Sequence, residues 1–333
     1  MFEEFEAEPL FSDVCKRIVL SYSMSSFTYQ PSHHVPYRDL DVLARCRNIG
    51  RDQIENHENP DVTIRVVPDE ELSFLWFADI VGRIVRAREE GRRCVMLLPN
   101  PWPGYRHVAA LLNAAMIDCH HLWAFAMDEY ADENGTIAPS DWEWGFTNSM
   151  VKFLWSELND EIRPPREQFV GFTDDNLSRY GEMMEELGGP EIGYFGPGWA
   201  GYVAFVEPDA PEFDLPLDEW MEAKARICTL SPFTIAQNSL HGSFGYSGDL
   251  AMVPPKAATV GPAEVGSCAH RFDMHGISVQ GSISSWQRLT TRLCLHGPVT
   301  PRIPGSIMQT LKTDVYVSET IAQPIEQTWE VGY

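Results

Sequence analysis

From Pro60 onward the chain alternates short apolar runs with segments whose apolar positions recur every three or four residues. Asp61 to Val67 has the pattern of a strand, and Leu72, Leu75, Trp76, Ile80 and Ile84 draw one apolar face along a helix from Asp69 to Arg88. Cys94 to Leu98 reads as a continuous apolar strand, followed by a helix from Tyr105 to Met116 with Val108, Leu111, Leu112 and Ala115 on one side. The same reading predicts strands at Leu122 to Met127, Ile192 to Phe195, Arg226 to Leu230, Gly276 to Gln280 and Asp314 to Val317. It predicts helices near Phe146 to Leu158, Asp175 to Leu187 and Ser284 to Leu295. Uninterrupted apolar strands alternating with helices predict an α/β fold, a mainly parallel sheet with helices on both faces. Ligands of such sheets sit beyond the carboxyl ends of the strands, so the loops after Leu98, Met127, Phe195 and Leu230 are the ones to inspect.

Residues 1–60 are less regular. Ser21 to Pro36, rich in Ser, Tyr, Pro and His, suits a surface arm or an oligomer contact, and residues 1–60 are expected to be an N-terminal extension to one domain spanning 61–333. The 333 residues leave room for a sizeable core, and 44% hydrophobic content with a mean hydropathy of -0.23 fits a soluble globule. A formal charge of -23 argues against nucleic acid or an anionic membrane as partner, since both require clustered Lys and Arg. Met1 to Pro9 carries four glutamates and no basic residue, so no export signal is expected there, and no apolar tract approaches the ~20 residues of a membrane span. Seven scattered cysteines with no CxxC pair suggest a reducing, cytoplasmic setting. Cys119, His120 and His121 do not form a metal site, because neighbours on a strand point to opposite faces, and no metal or cofactor is expected.

Two segments carry candidate chemistry. Ala124 to Tyr130 (AFAMDEY) places Asp128 and Glu129 at the end of an apolar strand, where partial desolvation would raise a carboxyl from ~3.9 toward the range of a general base. A turn-capping role for Asp128 is the plainer alternative. Phe195 to Pro208 (FGPGWAGYVAFVEP) is a glycine-rich turn after a strand, with Gly196, Gly198 and Gly201 allowing close backbone approach. Its spacing does not fit a dinucleotide fingerprint, so no nicotinamide cofactor is expected.

With the turn at Leu97 to Gly104, TLSPFTIAQNS at Thr229 to Ser239, ATVG at Ala258 to Gly261 and IPGSIMQTLKTDVYVSETIA at Ile303 to Ala322, these segments resemble the glucosamine-6-phosphate isomerase/deaminase (NagB) family over approximately Pro60 to Ala322. The resemblance implies a NagB-like modified Rossmann architecture. It also implies an enzyme that opens an amino-sugar phosphate, moves a proton between C1 and C2, and releases ammonia. Asp128 matches the proton-transferring aspartate of that family, and Glu207 matches the glutamate of its glycine loop. The relatives often form oligomers.

The departures fall on chemistry. Where the family loop reads Gly-Asn-Asp-Gly-His, this chain has Gly198, Trp199, Ala200, Gly201 and Tyr202. A phenol titrating near ~10 rather than ~6.5 is handicapped as a neutral-pH base by about 5 kcal/mol, so Tyr202 is not expected to open a ring in the family's manner, though it could still donate a hydrogen bond. The phosphate turn becomes Asn100, Pro101, Trp102, Pro103 and Gly104, with two prolines removing two donors. The family's phosphate lysine falls on Ser284, no basic residue lies within Thr234 to Leu240, and Arg106 or Arg288 are the available substitutes. Trp102 and Trp199 could stack on the C–H face of a sugar or pack beneath a loop. His241, in HGSFGYSGD, is a candidate replacement base. The sequence thus points to an atypical sugar isomerase/deaminase acting on an aldose or amino sugar, phosphorylated or not, with Asp128, Glu207 and His241 as catalytic candidates. Asn100, Trp102, Gly104, Glu129, Gly198, Trp199, Tyr202 and Arg288 are the binding candidates. The alternative is a catalytically silent sugar- or metabolite-binding relative.

Overall fold

The computed structural model describes residues 29–99, 102–276 and 285–326. The chain divides into two compact units, Met1–Arg38 and Asp39–Tyr333, and every element below lies in the second. In chain order these are α1 (Leu40–Arg47), β1 (Val62–Val67), α2 (Asp69–Glu89), β2 (Cys94–Leu98), α3 (Tyr105–Ala114), β3 (Leu122–Ala126), β4 (Asp128–Ala131), α4 (Phe146–Phe153), β5 (Phe169–Val170) and α5 (Tyr180–Glu186). They continue with β6 (Ile192–Phe195), α6 (Leu217–Met221), β7 (Arg226–Thr229), α7 (Pro232–Asn238), β8 (Lys256–Thr259), α8 (Pro262–Ser267), β9 (Arg271–His275), α9 (Gln287–His296), β10 (Thr313–Ser318) and α10 (Glu319–Ala322).

Among the described residues seven strands form one sheet in the order β1-β10-β9-β6-β2-β3-β5, and every neighbouring pair is parallel. β2 is buried along its whole length because it is covered twice. Cys94, Met96 and Leu98 pack with Leu72, Trp76 and Ile80 of α2 and Leu112 of α3. Val95 and Leu97 turn the other way, toward Phe125, Phe195, Tyr180 of α5 and Val265 of α8. This period-two division is the physical basis of a strand that is apolar on both faces. α2 carries Asp69, Glu70 and Glu71 in its first turn and Arg86 and Arg88 in its last, each sign opposing the partial charge of its helix end.

Two expectations require correction. β7, expected in the parallel sheet, instead pairs antiparallel with β8, which pairs antiparallel with β4. A strand of four residues such as Arg226–Thr229 reads the same in either direction, so its pairing is set by the connection that returns the chain rather than by its residues. The strand expected at Gly276 to Gln280 does not include Gly276, which lies just past the end of β9 (Arg271–His275), and the remainder of that range lies outside the described residues. β9 escaped a hydropathy reading because alternate positions are buried polar groups. Arg271 donates to the carbonyls of Lys312, Val265, Gly266 and Cys268. His275 stands between Asp273 Oδ2 and Thr291 Oγ1, 2.8 Å from each.

The fold is also tied by Arg292 of α9, which is fully buried. Its five N–H groups reach the carbonyls of Ile49, Arg288, Ile321, Ala322 and Gln323 at 2.7 to 3.1 Å, joining the segment after α1 to the end of α10. Burial pushes the guanidinium down to about 10, still charged at neutral pH. Replacing Arg292 with Met leaves those carbonyls without donors, and urea unfolding is expected to show a loss of about 3 to 5 kcal/mol.

Candidate functional site

The site forms where the chain changes sheets. Met127 donates its N–H to Leu98 O at 3.0 Å and accepts from Val260 N at 2.9 Å, bridging the parallel sheet to the antiparallel one. Asp128 then opens β4 opposite Thr259 of β8. Both carboxyls of the dipeptide are buried, Asp128 at 5% exposure and Glu129 at 0%, yet their surroundings differ. Glu129 accepts from the backbone N–H groups of Tyr130 at 2.9 Å, Phe146 at 3.0 Å and Thr147 at 2.7 Å. It therefore serves as the cap of α4, whose flanking Gly145 offers no side chain of its own. Burial raises the Glu129 carboxyl, and those N–H groups oppose the rise. Asp128 has no such support. Its Oδ1 lacks a hydrogen-bond partner, and desolvation, followed by the charge of Glu129, raises its pKa well above the usual range.

The glycine loop closes the site from the end of β6. A Cβ at Gly196 would lie 2.6 Å from Met274 O, and one at Gly198 would lie 2.0 Å from the ring of Tyr202, so both glycines are required by close contact. Gly198 thereby seats the Tyr202 ring, which is 7% exposed. Trp199 N–H donates to Gln237 Oε1 at 2.8 Å. Burial, then the charges of Glu207 and Asp128, raise the Tyr202 phenol well above its ordinary value, and the Gln237 hydrogen bond opposes them only in part. Tyr202 therefore keeps its proton.

Ala204 adopts a φ of 49°, a left-handed kink in a non-glycine residue. The chain then brings in Glu207, 1% exposed. Its Oε1 accepts from Ser231 N at 3.2 Å, at the start of α7, while Oε2 has no partner. Desolvation is the main cause of a pKa pushed up to about 7, with the Thr234 and Ser231 hydroxyls and the Ser231 N–H acting against it.

The remaining candidates are placed as follows. Asn100 lies outside the described residues. Trp102 is half-buried, its ring 4.6 Å from that of Trp76 in an edge-on contact, and a Cβ at Gly104 would collide with it. Its packing is thus against the α2 core. Trp199 meets Trp286 edge-on at 5.4 Å, and neither indole N–H has a partner. Burial drives His241 down to about 4, so the imidazole is neutral at physiological pH and only a weak proton acceptor, with Nδ1 unpartnered. Arg106 pairs with Glu157 at 3.2 Å and lies over the Phe153 ring, and Arg288 donates to Pro324 O at 3.1 Å. Arg106 is thus engaged with Glu157, whereas Arg288 keeps a buried Nε without a partner. Cys119, His120 and His121 are engaged separately, by Ile117 O, Asp118 and Ile84 O.

Sequence reasoning missed Tyr130, Gln237 and Asn238. Asn238 Nδ2 donates to Tyr130 Oη at 3.0 Å behind Asp128. The signal was present in TLSPFTIAQNS, where Thr234, Gln237 and Asn238 fall at helical spacing and form one buried polar stripe. No helix of the described residues is long and apolar enough to cross a membrane.

Because folded Glu207 holds its proton more tightly than the unfolded chain, this residue favours the folded state below pH 4.5. It loses that contribution, on the order of 3 kcal/mol, as pH rises to about 7. Glu207→Gln should therefore gain stability relative to the native protein between pH 4.5 and 8, measured by urea midpoints. A flat difference across that range would show that Glu207 is ionised in the fold.

No family model matches the chain. Glucosamine-6-phosphate deaminase 2 of Giardia intestinalis is 24% identical over 262 residues, covering 76% of this chain and 88% of that protein. The glucosamine-6-phosphate deaminase of Caenorhabditis elegans is 29% identical over 191 residues, 55% of this chain and 63% of the relative. Among solved structures, a monomeric glucosamine-6-phosphate deaminase superposes with a TM-score of 0.61 at 19% identity, covering 78% of this chain and 98% of that one. A 6-phosphogluconolactonase from Leishmania guyanensis gives 0.54 at 13% identity, over 80% and 99%. These structural likenesses concern the fold.

Proposed function

We propose, starting from the chain's membership of the glucosamine-6-phosphate isomerase/deaminase (NagB) family, that the protein is a sugar isomerase/deaminase that moves a proton between C1 and C2 of an aldose or amino sugar by means of buried carboxyl groups. The observation that carries this reading is the pair of buried, under-partnered acids Asp128 and Glu207. Each carboxyl is almost fully buried and keeps one oxygen without a partner, and both act electrostatically on the same phenol. Buried polar atoms without partners are rare, and a group of them in one place fits a site completed by a polar ligand.

The reading favours a substrate without a phosphate. Arg106 is paired with Glu157, and the position of the family arginine falls in a segment that has no cation, with the exposed Leu240 at its end. With Ala200 and Tyr202 in the glycine loop, the ring-opening base is absent from its usual place, so the open-chain sugar is the form on which these residues act. His241 is the other candidate for proton transfer, and Gly198 and Trp199 would line the sugar. The loss of the histidine and its aspartate partner also supports a second reading, a silent sugar-binding relative.

Ammonia release and aldose-to-ketose conversion separate the two readings when measured over glucosamine, glucose and their 6-phosphates. Turnover is expected, with a higher kcat/KM for the free sugars, and Asp128→Ala should lower kcat about 10²-fold or more with the fold intact by circular dichroism. A protein that binds sugar but converts none of the four would leave the silent reading. A preference for the phosphates would overturn the unphosphorylated substrate.

A further inference from the structure

The tryptophans of the described residues divide by where their rings lie. Trp76 and Trp220 are inside the core, and Trp102, Trp123, Trp142, Trp144 and Trp155 pack against one or another of the apolar clusters. Among the described residues only Trp199 and Trp286 belong to none of these clusters. They meet each other instead, with ring centroids 5.4 Å apart at 63°, so that one face and one edge form a corner. Both side chains are half-buried, while both indole Nε1 atoms are shielded and have no acceptor. Trp76, Trp102 and Trp220 also lack acceptors, but the core holds their rings and offsets that loss. A ring outside the core, partly open and with an unpartnered N–H, fits a surface completed by an apolar face that carries an acceptor.

Three contacts set this corner beside the sugar site. Trp199 N–H is held by Gln237 Oε1 of α7 at 2.8 Å, and the next residue of α7, Asn238, reaches Tyr130 Oη at 3.0 Å. Tyr130 follows Asp128 by two positions on β4, and residues two apart on a strand share a face. Trp286 is the N-cap of α9, and Gln287 beside it donates to Pro197 O at 2.9 Å, two residues before Trp199. The glycine loop, α7 and α9 thus bring the two indoles together on the loop that leads to Tyr202 and Glu207. Neither residues 196–202 nor residues 232–240 include a cation. Arg288, two residues after Trp286, donates to Pro324 O and keeps its Nε without an acceptor.

We propose that Trp199 and Trp286 are the platform that selects the substrate. They take the end of an open-chain sugar remote from C1 and C2, its C–H groups against the indole faces and its terminal hydroxyl oxygen accepting from an indole N–H. The ligand class is a neutral polyol end. This rests on the sugar-enzyme reading above and adds a residue to it, Trp286. An indole face carries the negative part of the ring quadrupole and attracts the weakly positive C–H groups of a polyol, while the N–H at its edge supplies a donor. A phosphate in the same corner would meet no cation from the loop or from α7 and would lose hydration against two apolar rings. Contact with the remote end holds C1 and C2 at the acids, where orientation raises the rate.

Calorimetric binding of 2-amino-2-deoxyglucitol, an open-chain alditol with no carbonyl to react, tests the platform, with its 6-phosphate and its 6-deoxy form as comparisons. The native protein should bind the alditol more tightly than the 6-phosphate. It should bind the 6-deoxy form several-fold more weakly, the loss of about one hydrogen bond. Trp286→Ala and Trp199→Ala should each weaken the alditol about tenfold or more. The double variant W199F/W286F keeps two rings and removes both N–H groups, so it should bind the alditol and the 6-deoxy form equally, a result that a merely structural role would not give. The platform is overturned if both alanine variants bind the alditol as the native protein does, or if the double variant still prefers it to the 6-deoxy form. A native preference for the 6-phosphate also overturns it and assigns the anion to Arg288 Nε. In each case the sugar-enzyme reading stands on turnover. A native protein that converts sugars without binding the alditol overturns the platform alone, and one that does neither overturns both.

Discussion

Removing a carboxyl group from water is expensive unless donors or a cation replace the lost hydration, and the architecture of the site follows from how unevenly this protein meets that requirement. Glu129 receives three backbone N–H groups and becomes part of the scaffold. Glu207 is only partly compensated and rests near neutrality. Asp128 is compensated hardly at all. Three acids within eighty residues of one another in sequence thus acquire three different characters from the same physical cost.

The fold produces this gradient by crossing between sheets. A strand continuing within the parallel sheet would have carried Asp128 toward its solvent end. The turn at Met127 instead sends the chain into β4, where Asp128 lies against β8 and beneath the glycine loop. The loop's own conformation depends on Met274 O and the Tyr202 ring occupying space that only glycines leave open. β9 meets it at Met274 O, which closes on Gly196, and α9 supports it through Gln287, which donates to Pro197 O at 2.9 Å. Sheet, helix and loop therefore constrain one another around the acids.

Most elements of the parallel sheet were legible because their apolar runs are continuous and their helices are strongly periodic, as in β2 and α2. β9 was not, because its buried positions are Arg271, Asp273 and His275, whose burial is tolerable only with partners from elsewhere in the chain. The antiparallel direction of β7 was hidden for a different reason, since strand direction is a property of the connection. Within the site, Asp128, Glu207 and Tyr202 were recognisable from their motifs. Gln237 and Asn238 were not, because a helical polar stripe looks the same whether it faces solvent or a buried phenol.

The sequence alone determined the fold class and the segments that carry the candidate acids, since these depend on residue type and local spacing. Tertiary structure decided which acid is a helix cap, which is half-compensated and which is left dry. Residues as distant as Glu129 and Phe146, or Glu207 and Ser231, supply or withhold the donors. A carboxyl's protonation is set by the dielectric and the hydrogen bonds around it, and these exist only once the chain has closed upon itself.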